Sequence, residues 1–160
     1  DTLESAVGDL LKAYGKTLST AESCTGGMIS SLITSVAGSS EYFLGSVTSY
    51  ANEVKENVLG VPAEIIAEHG AVSSECVAAM AEGVRRITSS DYSVATSGIA
   101  GPGGGSEEKP VGTVWIGVSS DNGTETFRLK FNSDRKRNIE RFSSSALHIL
   151  LNKIKKELNN

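Results

Sequence analysis

The stretch Thr20-Ala21-Glu22-Ser23-Cys24-Thr25-Gly26-Gly27 gathers two nucleophile types and a carboxylate in front of two adjacent glycines. Ser23 falls where a short strand gives way to a helix. There the N–H groups of Cys24, Thr25 and Gly26 would point out of the helix start and hold an anion or an oxyanion. A serine at that point is equally an ordinary N-cap. Cys24 is the rival nucleophile, because a helix N-terminus lowers a thiol's pKa. No histidine lies near it in sequence, and a small packed residue is the plainer reading. A serine without histidine needs another base. Lys55 suits that role, since a desolvated lysine is neutral near pH 7 and takes a hydroxyl proton; its alternative is a solvated surface lysine. Tyr50 either orients the lysine or the substrate, or packs as an aromatic. Glu22 either orients Lys55 or ends its strand as a solvated carboxylate.

A second segment, Ser97-Gly98-Ile99-Ala100-Gly101-Pro102-Gly103-Gly104-Gly105, has five glycines in nine residues. Glycines are entropically costly filler, but they let backbone approach a ligand and present N–H groups to phosphate or carbonyl oxygen. The loop matches neither the Walker A nor the dinucleotide fingerprint. A flexible connection is its plain alternative. The one dense basic run, Arg135-Lys136-Arg137 with Arg141 a turn later, is a solvated helix start or a site for a small anion such as phosphate.

The elements that must position these residues are legible from periodicity. Leu3, Val7, Leu10, Leu11 and Tyr14 share a helix face that Gly15 ends. Thr17–Ala21 reads as a strand, Cys24–Val36 as an amphipathic helix, and Phe43–Tyr50 as a strand. Asn52 reads as the N-cap of a further helix. Pro62 suits the first turn of a short helix to about His69, and Ser73 or Ser74 caps a longer one. Tyr92–Ser97 is a strand. Val111–Val118 and Thr124–Phe131 alternate cleanly around Asp121-Asn122-Gly123, a hairpin signal. A last helix starts near Ser133 or Asp134. Helices interleaved with strands predict an α/β fold, with helices on both faces of a sheet that the hairpin makes mixed. No linker or repeat divides residues 1–160. In such sheets ligands sit beyond the carboxyl ends of parallel strands, where Glu22–Gly27, Tyr50–Lys55 and Ser97–Gly105 would converge.

Composition narrows the class. Hydrophobic residues make up 39% and charged residues 21% of 160, as in a globular domain. The net charge of −4 gives no basic face for nucleic acid. No apolar run spans a membrane, and no leader is evident at the N-terminus. Two cysteines and two histidines make neither a disulfide framework nor a zinc site. The expectation is a cytoplasmic domain without metal or cofactor.

Together TAESCTGG, SVTSYANEVKENVLGV and TSGIAGPGGGSEEKPVGTVWIG resemble, in order and spacing, the CinA C-terminal-domain family, which includes stand-alone nicotinamide mononucleotide deamidases (PncC type). The resemblance runs from the first helix to the last. It implies a three-layer α/β/α sandwich with a mixed, mostly parallel sheet, usually homodimeric, that hydrolyses the carboxamide of nicotinamide mononucleotide to nicotinate mononucleotide and ammonia without cofactor. The family nucleophile maps to Ser23, its lysine partner to Lys55 and the preceding tyrosine to Tyr50. The position before GIAGP is commonly threonine in the family and is Ser97 here, so the hydroxyl is kept. The resemblance places substrate binding on Cys24, Thr25 and Gly26, on Gly98, Gly101, Gly103 and Gly104, and on the family's arginine. That arginine maps to Arg135, or to Arg137, because Asp134-Arg135-Lys136-Arg137 departs from the usual pattern. Related domains also occur fused to another domain, so a non-catalytic nucleotide-binding module is the competing expectation.

Overall fold

The computed structural model describes residues 1–159. The chain runs α1 (Leu3–Tyr14), β1 (Leu18–Glu22), α2 (Met28–Thr34), β2 (Phe43–Thr48), α3 (Asn52–Asn57), α4 (Ala63–His69), α5 (Ser74–Thr88), β3 (Tyr92–Gly98), β4 (Thr113–Ser120), β5 (Gly123–Lys130) and α6 (Arg135–Leu158). The five strands form one sheet in the order β2-β1-β3-β4-β5. β2, β1 and β3 are parallel, and β4 pairs antiparallel with β3 and β5. Four of the five strands therefore run the same way, and the hairpin supplies the mixed character.

Side-chain alternation along the sheet builds two cores. Leu18, Val94, Val114 and Ile116 meet Val7 and Leu11 of α1, Ile29 and Ile33 of α2, and Phe142, Leu147 and Leu150 of α6. On the other face Ala21 and Ala95 meet Val77, Met80 and Val84 of α5, with Leu59 and Val61. The result is the expected α/β/α sandwich. Helix ends are fixed locally. Thr2 forms a capping box with Ser5, Ser73 accepts from Cys76 N–H, and Asp134 accepts from Arg137 N–H.

Two helix starts differ from the sequence reading. α2 begins at Met28 rather than Cys24, because Gly26 and Gly27 have positive φ (62° and 102°) and residues 24–27 form turns. α3 is capped by Ala51, with no side-chain cap, so Asn52 is its first residue and not its N-cap.

From β1 the chain crosses to β2 on one side and, through α3–α5, to β3 on the other. This reversal of direction leaves a crevice outside the carboxyl ends of β1 and β3, the usual ligand position in open α/β sheets.

Candidate functional site

The crevice is a cavity of about 260 Å³, lined by Ser23, Cys24, Tyr50, Asn52, Lys55, Ala71, Val72, Ser97–Gly101, Gly103, Gly104 and Arg135. All three predicted segments reach it. A second hollow, between Lys16, Asp91, Asp121 and Glu157, lies at the amino ends of β1 and β3, away from the switch point.

Ser23 sits one residue past β1. Two-residue alternation puts it on the Ala21 side of the sheet, facing α3 and α5, and puts Glu22 on the α2 side. Its N–H donates to Thr96 O (3.1 Å), while Ser49 N–H donates to Glu22 O (2.7 Å). Strand pairing thus grips the segment from both neighbours up to the nucleophile position.

Lys55 reaches Ser23 from α3. It is 1% exposed, a rare burial for lysine. Its Nζ lies 3.0 Å from Ser23 Oγ, and donates to Ser49 O (2.6 Å) and Tyr50 O (3.1 Å). None of the described salt bridges involves it. Burial without a carboxylate partner pushes its pKa below the ordinary 10.5; only interactions with Cys76 and Cys24 oppose this. Those thiols are themselves held protonated by burial, Cys24 at about 12 and Cys76 at about 11, so near neutral pH their opposition vanishes.

The geometry also aims the amine once its proton is off. Carbonyl oxygens only accept, so Ser49 and Tyr50 fix two N–H groups of Lys55. In the –NH₂ form the remaining lone pair then faces the Ser23 hydroxyl. This is the arrangement of a nucleophile with its base.

Cys24 lines the same cavity but is chemically quiet. Desolvation outweighs the backbone N–H groups of Cys24 and Gly98 and the Lys55 charge, which act to lower its pKa. The thiolate a helix start would favour is not populated near neutral pH. Cys24→Ala is expected to keep activity within about threefold of wild type, as a small change beside rather than at the nucleophile. The wild type should react with iodoacetamide far more slowly than free cysteine at pH 7. Rapid alkylation with parallel loss of activity would reverse this reading.

Glu22 does neither of the things its sequence position suggested. Its carboxylate is fully buried and turned away from Lys55. Oε1 accepts from Thr25 Oγ1 (2.7 Å), Ile29 N–H (3.0 Å) and Gly27 N–H (3.2 Å), and Oε2 from Ser30 N–H (2.8 Å) and Thr20 Oγ1 (3.4 Å). The start of α2 is therefore occupied by a carboxylate of the chain itself. Thr25 turns its hydroxyl to Glu22 and to Thr96 Oγ1 (2.9 Å), and Gly26 makes a turn at the surface. Neither lines the cavity.

The glycine loop forms the opposite wall. Ser97, 1% exposed, ends β3 inside the cavity. A Cβ on Gly98 would come within 2.6 Å of Thr113 O, so only glycine lets β3 and β4 close here. Gly101 has φ +89°, and its carbonyl accepts from Arg135 Nη1 (2.7 Å). Arg135 Nη2 donates to Tyr50 Oη (3.1 Å), which links the mouth of the cavity from the β2–α3 loop to α6. Arg137 lies at the surface outside the cavity, and its backbone N–H serves the Asp134 cap. Of the two candidate arginines, only Arg135 is in place.

Asn138, one turn after Arg135, escaped the sequence reading. It is fully buried; Nδ2 donates to Ala100 O (3.0 Å) and Ser133 O (3.0 Å), and Oδ1 accepts from Ser133 N–H (3.1 Å). It ties the glycine loop to α6. Its only sequence signal was an amide on the apolar side of a basic helix start. Asn52, Ala71 and Val72 also line the cavity without any local pattern to mark them. Among the described residues no group of three His, Cys, Asp or Glu side chains stands together as a metal site, and no helix is long and apolar enough to cross a membrane.

Known proteins share this fold and much of this sequence. A family model described as the CinA C-terminal domain matches residues 1–154. A CinA-like protein of Cytophaga hutchinsonii is 47% identical over 97% of this chain, and one of Pseudothermotoga lettingae 51% identical over 94%. A putative competence-damage inducible protein of Moorella thermoacetica is 48% identical over 94%. The chain spans little more than a third of these relatives' length, 37%, 37% and 36%. Crystal structures show the same unit at nearly full length. The competence damage-inducible protein A of Klebsiella pneumoniae superposes with TM-score 0.94 at 37% identity, covering 97% of this chain and 96% of that one. The competence/damage inducible protein of Agrobacterium tumefaciens gives 0.88 at 36% identity, covering 94% and 95%. With its fold, its sequence and the matched span in agreement, this chain belongs to the CinA C-terminal domain family.

Proposed function

We propose that this domain hydrolyses the carboxamide of nicotinamide mononucleotide to nicotinate mononucleotide and ammonia, with Ser23 as nucleophile and Lys55 as base. The observation that carries the reading is the buried, unpaired Lys55 amine, fixed by two carbonyls and facing Ser23 Oγ at 3.0 Å. The family resemblance supplies the substrate; the cavity supports it with a cation, Arg135, at the mouth for a phosphate and a nucleophile at the floor for the amide.

Lys55 takes the hydroxyl proton as Ser23 Oγ bonds to the carboxamide carbon. Backbone N–H groups around the cavity, at Cys24 and in the Gly101–Gly104 loop, receive the oxyanion; one such donor is worth about 3 kcal/mol in a well-studied protease. The Lys55 ammonium returns its proton to the departing nitrogen, the C–N bond breaks, and ammonia leaves an acyl-serine. Water then attacks the ester, giving its proton to neutral Lys55. That proton goes back to Ser23 Oγ as the product leaves as the carboxylic acid, which gives its remaining proton to water and becomes the carboxylate. Tyr50 and Ser97 border the reacting groups and orient the substrate.

The test is ammonia release from nicotinamide mononucleotide by the wild-type chain, with the Ser23→Ala variant as blank. Steady release in the first and none in the second is the expected result. A wild type that binds the nucleotide calorimetrically yet releases no ammonia would make the domain a non-catalytic binding module.

A further inference from the structure

We propose that Glu22 is the positioning residue of the nucleophile. It holds Ser23 against Lys55 by folding the following turn around its own buried carboxylate. The inference rests on Ser23 being the nucleophile, as proposed above, and adds a residue that touches neither substrate nor base.

Ser23 must be held within a few tenths of an ångström, because a displacement of roughly 1 Å costs on the order of 100-fold in rate. Backbone pairing fixes only its N-terminal side, where Ser23 N–H meets Thr96 O and Glu22 O receives Ser49 N–H. On the C-terminal side the chain leaves the sheet in a glycine turn, Gly26-Gly27, both at positive φ. Such a turn has little conformational preference of its own. Two backbone bonds, Gly26 N–H to Ser23 O and Met28 N–H to Thr25 O, shape it, and the Glu22 side chain ties it back to the end of β1. Four donors beyond Ser23, namely Thr25 Oγ1, Gly27 N–H, Ile29 N–H and Ser30 N–H, converge on its two oxygens. Residues 22–30 thus form a loop tied back to its own first residue, and Ser23 is the second residue of that loop. Within it, Gly26 N–H donates to Ser23 O (3.0 Å).

The cradle also requires an acceptor at both positions. Three donors face Oε1, while Ser30 N–H and the Thr20 hydroxyl face Oε2. Glutamine has nearly the same shape but carries one NH₂. In either orientation that group meets a backbone N–H with no acceptor between them. Glu22→Gln therefore disturbs the turn without adding bulk. Thr25→Val is the milder variant, removing the shortest donor to Oε1 together with the hydroxyl contact to Thr96 and leaving the three backbone donors in place.

The readouts are kcat and KM for ammonia release, the pH midpoint of kcat/KM, thermal melting, and the rate at which phenylmethanesulfonyl fluoride labels Ser23, located by mass spectrometry. Glu22→Gln is expected to lower kcat and Ser23 labelling together, by on the order of 100-fold for a displacement near 1 Å. KM should stay within about twofold because the substrate contacts lie elsewhere. The pH midpoint should hold, since the burial and carbonyl partners of Lys55 are unchanged. Thr25→Val should shift the same readouts in the same direction by less, and Thr25→Ser, which keeps the hydroxyl, should restore them. If the folded variants label at the wild-type rate and lose only melting temperature, Glu22 is a structural cap and the proposal is overturned. Wild-type labelling without ammonia release would instead strike the substrate assignment alone, and the labelling rates would still decide the role of Glu22.

Discussion

Ser23→Ala and Lys55→Met are each expected to remove turnover of nicotinamide mononucleotide, and the double variant is expected to be no worse than either. A positioned general base contributes roughly 10²–10⁴-fold. Loss of Lys55 should cost at least that, because among the described residues no second base lines the cavity. His69 and His148 do not line the cavity, and Glu22 is engaged with α2. Residues that act as a unit are strongly non-additive. Without Lys55 the Ser23 hydroxyl keeps its proton; without Ser23 the Lys55 amine has nothing to activate. Steady-state rates for the three variants, with folded protein confirmed by circular dichroism, make the comparison. Losses that multiplied in the double variant would mean two independent roles and would sink the dyad.

In the proposed mechanism the same lysine is expected to set the pH dependence. Its proton must be off for it to act, so kcat/KM should rise with pH along a single ascending limb to a plateau. The midpoint should fall below the ordinary lysine value of 10.5, because burial lowers it. Stability follows with a definite sign. In the window between the folded pKa and 10.5 the unfolded chain binds more protons at this residue than the folded chain, so stability rises with pH. Urea midpoints across that window should climb in the wild type and lose this contribution in Lys55→Met.

Arg135→Ala is expected to raise KM for nicotinamide mononucleotide with little change in kcat. The guanidinium stands at the cavity mouth, hydrogen-bonded to Gly101 O and Tyr50 Oη, and none of the described salt bridges pairs it with a carboxylate. A phosphate there would gain charge-assisted hydrogen bonds worth about 1.5–3 kcal/mol. At about 1.4 kcal/mol per tenfold, that is roughly a 10- to 150-fold rise in KM. Lysine gives a point charge without the planar fork, so Arg135→Lys should recover only part of the loss. Nicotinamide riboside, which has no phosphate, should be nearly indifferent to the change. An equal loss on both substrates would assign Arg135 to holding the glycine loop instead.

Much of this protein was determined by local sequence. Alternation in Val114, Ile116 and Val118, the Asp121-Asn122-Gly123 turn, and the helical stripes of α1, α5 and α6 each follow from a short window. They therefore gave the element types and the α/β/α class. The three reactive segments were recognisable because each follows a strand, and strands of one parallel sheet end together. Which of Arg135 and Arg137 enters the cavity was a matter of helix phase, fixed only when Asp134 capped α6. The roles of Glu22 and Lys55 were decided further from the chain's local logic. Both are ionisable side chains that local sequence would leave in water, and in the fold they are 0% and 1% exposed. Glu22 is compensated by the amides of a turn that exists only because α2 starts four residues late. Lys55 is left with carbonyls and a hydroxyl because β1 and α3 meet beside the switch point. Burial and partner choice depend on residues distant in sequence, so tertiary structure made one of these charges a cap and left the other an amine with no carboxylate partner, facing a serine.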